Sequence, residues 1–280
     1  MDASCLNYLL TEQERHQFEK GGYLIVEDAI PPDLVTRLTA AVDRIDAQER
    51  AASGLSPRDG QNILDFIGRD DVFLELLDWP KTFPKILGIL GWNVQLYHSH
   101  VIITPPKATS GPGQKGLNWH KDSGRLNFEL ESDPQPRISL KIAYFLTDTS
   151  EVGRANLYVI PGSHLQNKLE RPEEGEPDGA TAICVKPGAA VFFDRRIWHA
   201  SSPNISDVPR KVLFYGYSYR WLRPRDDMTV AHYMARCDPI QRQLLGASPS
   251  GWHGYSSPRA DDVPLRAWME EHLSLDAVPA

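Results

Sequence analysis

Residues 92–104 read WNVQLYHSHVIIT, and with them the character of the chain changes. The run is short, rich in β-branched and aromatic side chains, and stopped by Pro105-Pro106, which is how a strand reads. Similar runs follow at PRISLKIAYFLTD (136–148), ANLYVIPGSH (155–164), ATAICVK (180–186), AAVFFD (189–194) and KVLFYGYSYRW (211–221). At least six strand signals within residues 93–221 predict a β barrel or sandwich in the middle of the chain.

Working outward, TEQERHQFEKGG (11–22) predicts a short helix, with Thr11 as N-cap, Glu14 completing a capping box and Gly21-Gly22 as the stop. YLIVEDAI (23–30) predicts a strand. Pro31-Pro32 open a second helix, in which Leu34, Leu38, Val42 and Ile45 recur at helical spacing. AASGLSPRDGQN (51–62) has the composition of a loop, and two short helical stretches flank Trp79-Pro80. Beyond about residue 226 helix-like and irregular stretches return. No repeat or low-complexity linker divides the 280 residues, so one domain is expected over 1–280, with a β core at about 93–221 and helical flanks 1–92 and 222–280.

A chain 41% hydrophobic and 24% charged can build a sizeable core. Its formal net charge of −7 argues against a general nucleic-acid binder, while a locally basic pocket for an anionic substrate stays open. No apolar run of membrane-spanning length occurs, and MDASCLNYLLTEQERHQ (1–17) lacks a basic-then-apolar export signal. Cys5, Cys184 and Cys237 are few and odd in number, which predicts no disulfide framework and a reducing cytoplasm. Nothing in the sequence sets the oligomeric state.

The chemistry gathers around NWHKDSGR (118–125). Residues i and i+2 of a strand share a face, so His120 and Asp122 are able to grip one ion from one strand edge. His199 is a third candidate. It follows VFFDRRIW (191–198), read as a strand, and precedes the turn-forming ASSPN (200–204), and sites collect at such strand ends. His16 and His272 fall on polar helical segments, and His232 and His253 in the irregular tail. Two histidines and a carboxylate form the facial triad of non-haem Fe(II) oxygenases, although zinc accepts the same ligands. His98-Ser99-His100 raises a rival, the HxH pair of cupin metal sites, but VIITPP (101–106) brings no glutamate. Arg210, eleven residues past His199, shares a strand face with Val212, Phe214 and Gly216. An arginine there is costly unless it meets an anion or snorkels to water at the rim.

His120-x-Asp122, His199, Ser201 and Arg210 together resemble the pattern of the phytanoyl-CoA dioxygenase-like family of Fe(II)- and 2-oxoglutarate-dependent oxygenases. PGSH (161–164) and GGYLIVEDAIPPDLVTRL (21–38) are also similar to that family, and the likeness spans about residues 10–225. The resemblance implies a mainly β fold, a double-stranded β-helix (jelly-roll, cupin-like) with flanking N-terminal and C-terminal helices. It implies that His120, Asp122 and His199 hold Fe(II), and that 2-oxoglutarate chelates the metal. The far carboxylate of the co-substrate would pair with Arg210, with a hydrogen bond from Ser201. The implied reaction uses O2 to oxidise an unactivated C–H bond of a small molecule, by hydroxylation, and releases succinate and CO2. Halogenases of this class replace the carboxylate ligand with a small residue, so Asp122 favours hydroxylation. The alternative is a metal-binding cupin-like barrel with a hydrolytic, isomerase or non-catalytic binding role.

Some positions depart from the family pattern. Lys141 in SLKIAYF (139–145) either adds a cation for the co-substrate or an anionic substrate, or reaches out from a strand rim. His98 either borders the co-substrate or is a hydrogen-bonded core histidine. Arg125, three residues past Asp122, is either a contact for an anionic or zwitterionic substrate or a solvated loop arginine, and Tyr97 is grouped with it as substrate-facing. Trp119 and Trp198 each precede a ligand and read as packing. GYSYRWLRPRDD (216–227) reads as closing the site or meeting a partner subunit, and KATSGPGQKG (107–116) as a mobile lid.

Overall fold

The computed structural model describes residues 1–107 and 116–273, so residues 108–115 of the lid expectation lie outside the described residues. In chain order the strands are β1 (Tyr23–Val26), β2 (Gln61–Leu64), β3 (Val94–Thr104), β4 (Ser139–Phe145), β5 (Leu157–Val159), β6 (Thr181–Ile183), β7 (Ala190–Asp194), β8 (His199–Ser201) and β9 (Arg210–Tyr219). One sheet has the order β1-β7-β4-β9-β3-β2 and the other β6-β5-β8, with every pairing antiparallel.

Alternation along the central strands assigns side chains to two cores. Ala143 and Phe145 of β4, Val191 and Phe193 of β7, and Val212 and Phe214 of β9 face the small sheet and pack with Leu157, Val159 and Ile183. The intervening Ile142, Tyr144, Phe192, Leu213, Tyr215 and Tyr217 face the other way, into a larger helical core. Burial on both faces explains why these strands read as nearly continuous apolar runs.

The helical layer comprises α1 (Glu12–Gly21), α2 (Pro32–Ser53), α3 (Asp71–Leu74), α4 (Phe83–Leu90), α5 (Gly124–Glu129), α6 (Pro239–Leu244) and α7 (Pro264–His272). Thr11 and Glu14 form the expected capping box on α1, and Gly22 ends it with a left-handed φ of 80°. On α2 the stripe Leu34, Leu38, Val42 and Ile45 is buried, each side chain contributing about 1.5–3 kcal/mol by leaving water. Tyrosines tie this layer to the sheet: the Tyr215 hydroxyl donates to the Phe73 carbonyl at 2.7 Å and that of Tyr217 to the Leu77 carbonyl at 2.6 Å. Apart from α5, which lies beside the site, the helices therefore brace one face of the large sheet and leave the other face for the site.

Three expectations are corrected. The β core is wider than 93–221, because β1 and β2 edge the large sheet from within the N-terminal flank. VFFDRRIW is not one strand: β7 ends at Asp194, whose carboxylate accepts the Arg196 backbone N–H at 3.0 Å, while the Ile197 N–H returns to the Asp194 carbonyl at 3.0 Å. That side-chain turn is the Asx geometry that stops strands. His199 consequently begins the short β8 rather than following the end of β7. His120 and Asp122 lie on no strand of their own; His120 makes an isolated bridge.

Candidate active site

That bridge brings distant residues together. The His120 N–H donates to the His199 carbonyl at 3.0 Å, and the His199 N–H returns to the His120 carbonyl at 3.0 Å. Directly opposed residues of an antiparallel pair project side chains to the same face, and the two imidazole centroids are 4.3 Å apart. The Asp122 N–H is held by the Arg195 carbonyl at 3.1 Å, and Asn127 of α5 donates to the Asp122 carbonyl at 2.8 Å. His120, Asp122 and His199 thus offer one donor atom each, all within 4.8 Å of one another, and form the metal-competent cluster found among the described residues.

The chemistry of this donor set fits a divalent cation. Nδ1 of His120 lies 3.0 Å from the Asn118 carbonyl, and Nδ1 of His199 lies 3.0 Å from the Ile197 carbonyl. A carbonyl only accepts, so each neutral ring carries its proton on Nδ1 and leaves Nε2 as a lone-pair donor. Burial pushes the His199 pKa down to about 4, which keeps that ring neutral. Burial alone would raise the Asp122 pKa, but Lys141 and the two histidines outweigh it and hold the group below the carboxylate range. Oδ2 of Asp122 is buried with no hydrogen-bond partner.

These residues line a cavity of about 510 Å³ that also contains Ser201 and Arg210. Arg210, at the start of β9, is 3% exposed. Its guanidinium donates to the Ala155 carbonyl at 2.6 Å, Ser201 Oγ at 3.2 Å and Thr104 Oγ1 at 3.3 Å, and its Nε has no partner. Burial alone pushes its pKa down to about 10. The other described arginines with lowered values, Arg195 and Arg220, each have an aspartate nearby.

Lys141 lies inside the cavity, but its ammonium is committed to Asp122 Oδ1 at 2.9 Å. Tyr97 lines the cavity too, its hydroxyl accepting from Ser139 at 3.4 Å. His98 and Arg125 are not among the lining residues. His98 is buried behind the wall, with Nδ1 on Asp226 at 2.6 Å and Nε2 on Arg225 at 2.9 Å. Both ring nitrogens are spent, so the HxH pair is not a cupin metal pair. Arg125 sits on the exposed side of α5, paired with Glu129 at 2.6 Å and stacked over Phe128; the left-handed Ser123 and the start of the helix at Gly124 turn it away from Asp122. Trp119 packs as expected and donates to Glu176 at 2.6 Å. Trp198 is flanked by Lys121 and Arg171.

Among the wall residues, Asn62, Lys121 and Arg225 are not singled out by the sequence, and His100 stands out there only as half of the HxH pair. His100 was legible as the i+2 neighbour of His98 on the same face, and its ring stacks on Phe214 at 4.5 Å. Arg225 lay in the stretch 216–227 read as closing the site, with nothing to single it out from Arg220 and Arg223.

The family model described as phytanoyl-CoA dioxygenase (PhyH) matches residues 18–212. The chain belongs to this family. Among curated proteins, the ectoine dioxygenase of Bordetella bronchiseptica is 27% identical, with 75% of each chain covered, and that of Streptomyces coelicolor is 24% identical, with 70% of this chain and 73% of the relative covered. Among solved structures, HygX from Streptomyces hygroscopicus, with nickel and 2-oxoglutarate bound, superposes with a TM-score of 0.61 at 14% identity, over 77% of this chain and 90% of that one. The alpha-ketoglutarate-dependent carbocyclase SnoK of nogalamycin biosynthesis gives 0.59 at 20%, over 82% and 92%. These neighbours share the double-stranded β-helix fold. This member of the phytanoyl-CoA dioxygenase family is a non-haem Fe(II)- and 2-oxoglutarate-dependent dioxygenase, which uses O2. Its relatives act on small molecules. No described helix is long and apolar enough to cross a membrane.

Proposed function

We propose that His120, Asp122 and His199 hold the Fe(II), that Arg210 and Ser201 bind the far carboxylate of 2-oxoglutarate, and that the substrate is an anionic or zwitterionic small molecule hydroxylated at a C–H bond. One observation carries this reading: Arg210 is a buried cation with no acid beside it among the described residues, in the same cavity as the two-histidine, one-carboxylate cluster. A guanidinium in such a place is stabilised by an anion from outside the chain, and its planar fork suits a carboxylate.

With co-substrate and O2, the bound iron supplies oxidation of the substrate coupled to decarboxylation of 2-oxoglutarate. The chain's own residues bind and orient. Ser201 and Thr104 fix the guanidinium of Arg210 by hydrogen bonds from two sides. The carbonyls of Asn118 and Ile197 hold the two imidazoles in the tautomer that exposes Nε2. Lys141 donates to Oδ1 of Asp122, which also lies 4.0 Å from His199 Nε2, and so would hold the carboxylate in place beside the two imidazoles. Phe193, Leu157 and Phe214 supply the apolar wall that limits water, and Tyr97 faces the substrate space. We further assign the enzyme to the cytoplasm, a reading supported by three unpaired cysteines.

Anaerobic Fe(II) plus 2-oxoglutarate should produce a weak visible charge-transfer band, and air should release succinate. Absence of both would sink the reading. In His199→Ala the band should vanish and turnover fall by at least about 100-fold, the scale at which even outer-shell changes act; retained turnover would put the third ligand elsewhere.

A further inference from the structure

Arg225, like Arg210 and Lys121, is a cation on the cavity wall with no ion-pair partner among the described residues. It arrives from the segment after β9, where its backbone N–H donates to the Tyr97 carbonyl at 2.8 Å. That carbonyl is available because β3 carries a bulge: Leu96 pairs with Tyr217 and His98 with Gly216, so Tyr97 is left out of the β3–β9 ladder. Gly216 makes room for the bulge, since a Cβ there would meet the Tyr97 ring at 2.8 Å and His98 Cβ at 3.2 Å.

A relay then aims the guanidinium. Asp226 Oδ2 accepts the Ser99 N–H at 2.5 Å and the Ser99 hydroxyl at 3.3 Å, while Oδ1 lies 2.6 Å from His98 Nδ1. An ionised carboxylate has no proton to give, so His98 Nδ1 is the donor. Burial lowers the His98 pKa against the pull of Asp226, which keeps the ring neutral. Its Nε2 is then a lone pair that accepts from Arg225 Nη1 at 2.9 Å. The side chains of His98 and Asp226 are each 1% exposed, so water does not compete for that link, while Arg225 itself is exposed. The remaining guanidinium N–H groups make no hydrogen bond to a described residue.

We propose that Arg225 grips a carboxylate of the substrate, with His98 and Asp226 as positioning residues; this rests on the reading of the cavity as the oxygenase site. The charge of the wall supports it. Lys121, Lys141, Arg210 and Arg225 face a single acid, Asp122. Lys141 is spent on Asp122, Lys121 is turned to the Gln166 carbonyl, and 2-oxoglutarate answers Arg210. Arg225 is the cation left for the substrate, and its fork matches a carboxylate in two-point fashion.

The probe is a panel of aliphatic, aromatic and amino carboxylic acids, each beside its own carboxamide, added to the Fe(II) enzyme at saturating 2-oxoglutarate. Perturbation of the charge-transfer band without air, and succinate release in air, are the readouts. Acids should act and their amides should not. In Arg225→Met the half-saturating acid concentration should rise roughly 10- to 100-fold, as for a lost charge-assisted contact. Arg223→Met, outside the cavity wall, should leave it unchanged. Asp226→Asn should present an amide N–H to His98 Nδ1, move the ring proton to Nε2 and set it against Arg225. That variant should raise half-saturation for acids with little change in maximal rate, whereas a general packing defect would lower the rate and weaken 2-oxoglutarate as well. Equal action of amides, an unchanged Arg225→Met, or a panel in which no acid outperforms its amide would each overturn the proposal. Absence of the band in the unsubstituted enzyme would instead overturn the underlying assignment of the site.

Discussion

Arg196 and Arg210 are buried in the same barrel and live in opposite surroundings. Arg196 donates through Nε and Nη2 to both oxygens of Asp194, at 2.8 and 2.7 Å, and through Nη1 to the Gln135 carbonyl at 2.7 Å. Arg137 adds a third guanidinium contact to Asp194 at 2.7 Å and continues to Glu19. In this cluster each charge is answered within the chain. Arg210 meets only a carbonyl and two hydroxyls, and burial alone perturbs it. Burial by itself does not separate scaffold from site; the presence or absence of a countercharge does. The Asp194 cluster shapes the turn that delivers His199, whereas Arg210 is left waiting for an anion.

The comparison breaks most readily at Asp194. Asp194→Asn leaves the buried Arg196 guanidinium without a countercharge, while Arg137 keeps Glu19, and should cost about 3–5 kcal/mol of stability in urea unfolding, with the folded fraction still binding 2-oxoglutarate. Burial raises the Asp194 pKa, but Arg196 and Arg137 outweigh it, so the folded value is depressed. The contribution is therefore fully present above the unfolded value of about 3.9 and lost as pH falls below it; the Asn variant should lack that component of acid sensitivity. Loss of co-substrate binding at unchanged stability would erase the distinction. Arg210→Met should do the reverse. It should raise the 2-oxoglutarate requirement by about 100-fold, leave Fe(II) binding largely intact, and leave the melting temperature unchanged or higher. Unchanged co-substrate affinity would remove Arg210 from the site. Ser201→Ala, which deletes one hydrogen bond to a charged group, should weaken 2-oxoglutarate by about tenfold; an effect as large as that of Arg210 would mean that the hydroxyl also sets the aim of the guanidinium.

The same contrast accounts for what was legible in the sequence. His120, Asp122, His199 and Arg210 stood out because their spacing is local or falls at a strand end. The apolar runs gave the central strands because burial on both faces leaves little room for polar residues. β2 was lost because Gln61–Leu64 is a short edge strand with only alternate residues buried, following a turn-rich segment. The break after Asp194 depends on a carboxylate that turns back on its own backbone, and apolar content does not encode it. Lys141 and His98 kept two readings because their partners, Asp122 and Asp226, come from other segments of the chain. Arg225 was hidden by a bulge, which changes the register of a strand without changing its composition.

The reciprocal pair of backbone hydrogen bonds between His120 and His199 is the clasp of the barrel mouth, joining a loop to a three-residue strand. A divalent ion across the two side chains fastens the same point a second time. Metal affinity is then partly clasp strength, because an ion that binds only the assembled mouth stabilises it by mass action. Redox-silent Ni(II) should therefore slow amide hydrogen exchange at His120 and His199 more than at Leu38 and Val42 of α2, which lie in the helical core on the other face of the large sheet. The enzyme's mouth is in this sense spring-loaded by its metal supply: scarcity of the ion loosens the entrance before it unfolds the barrel.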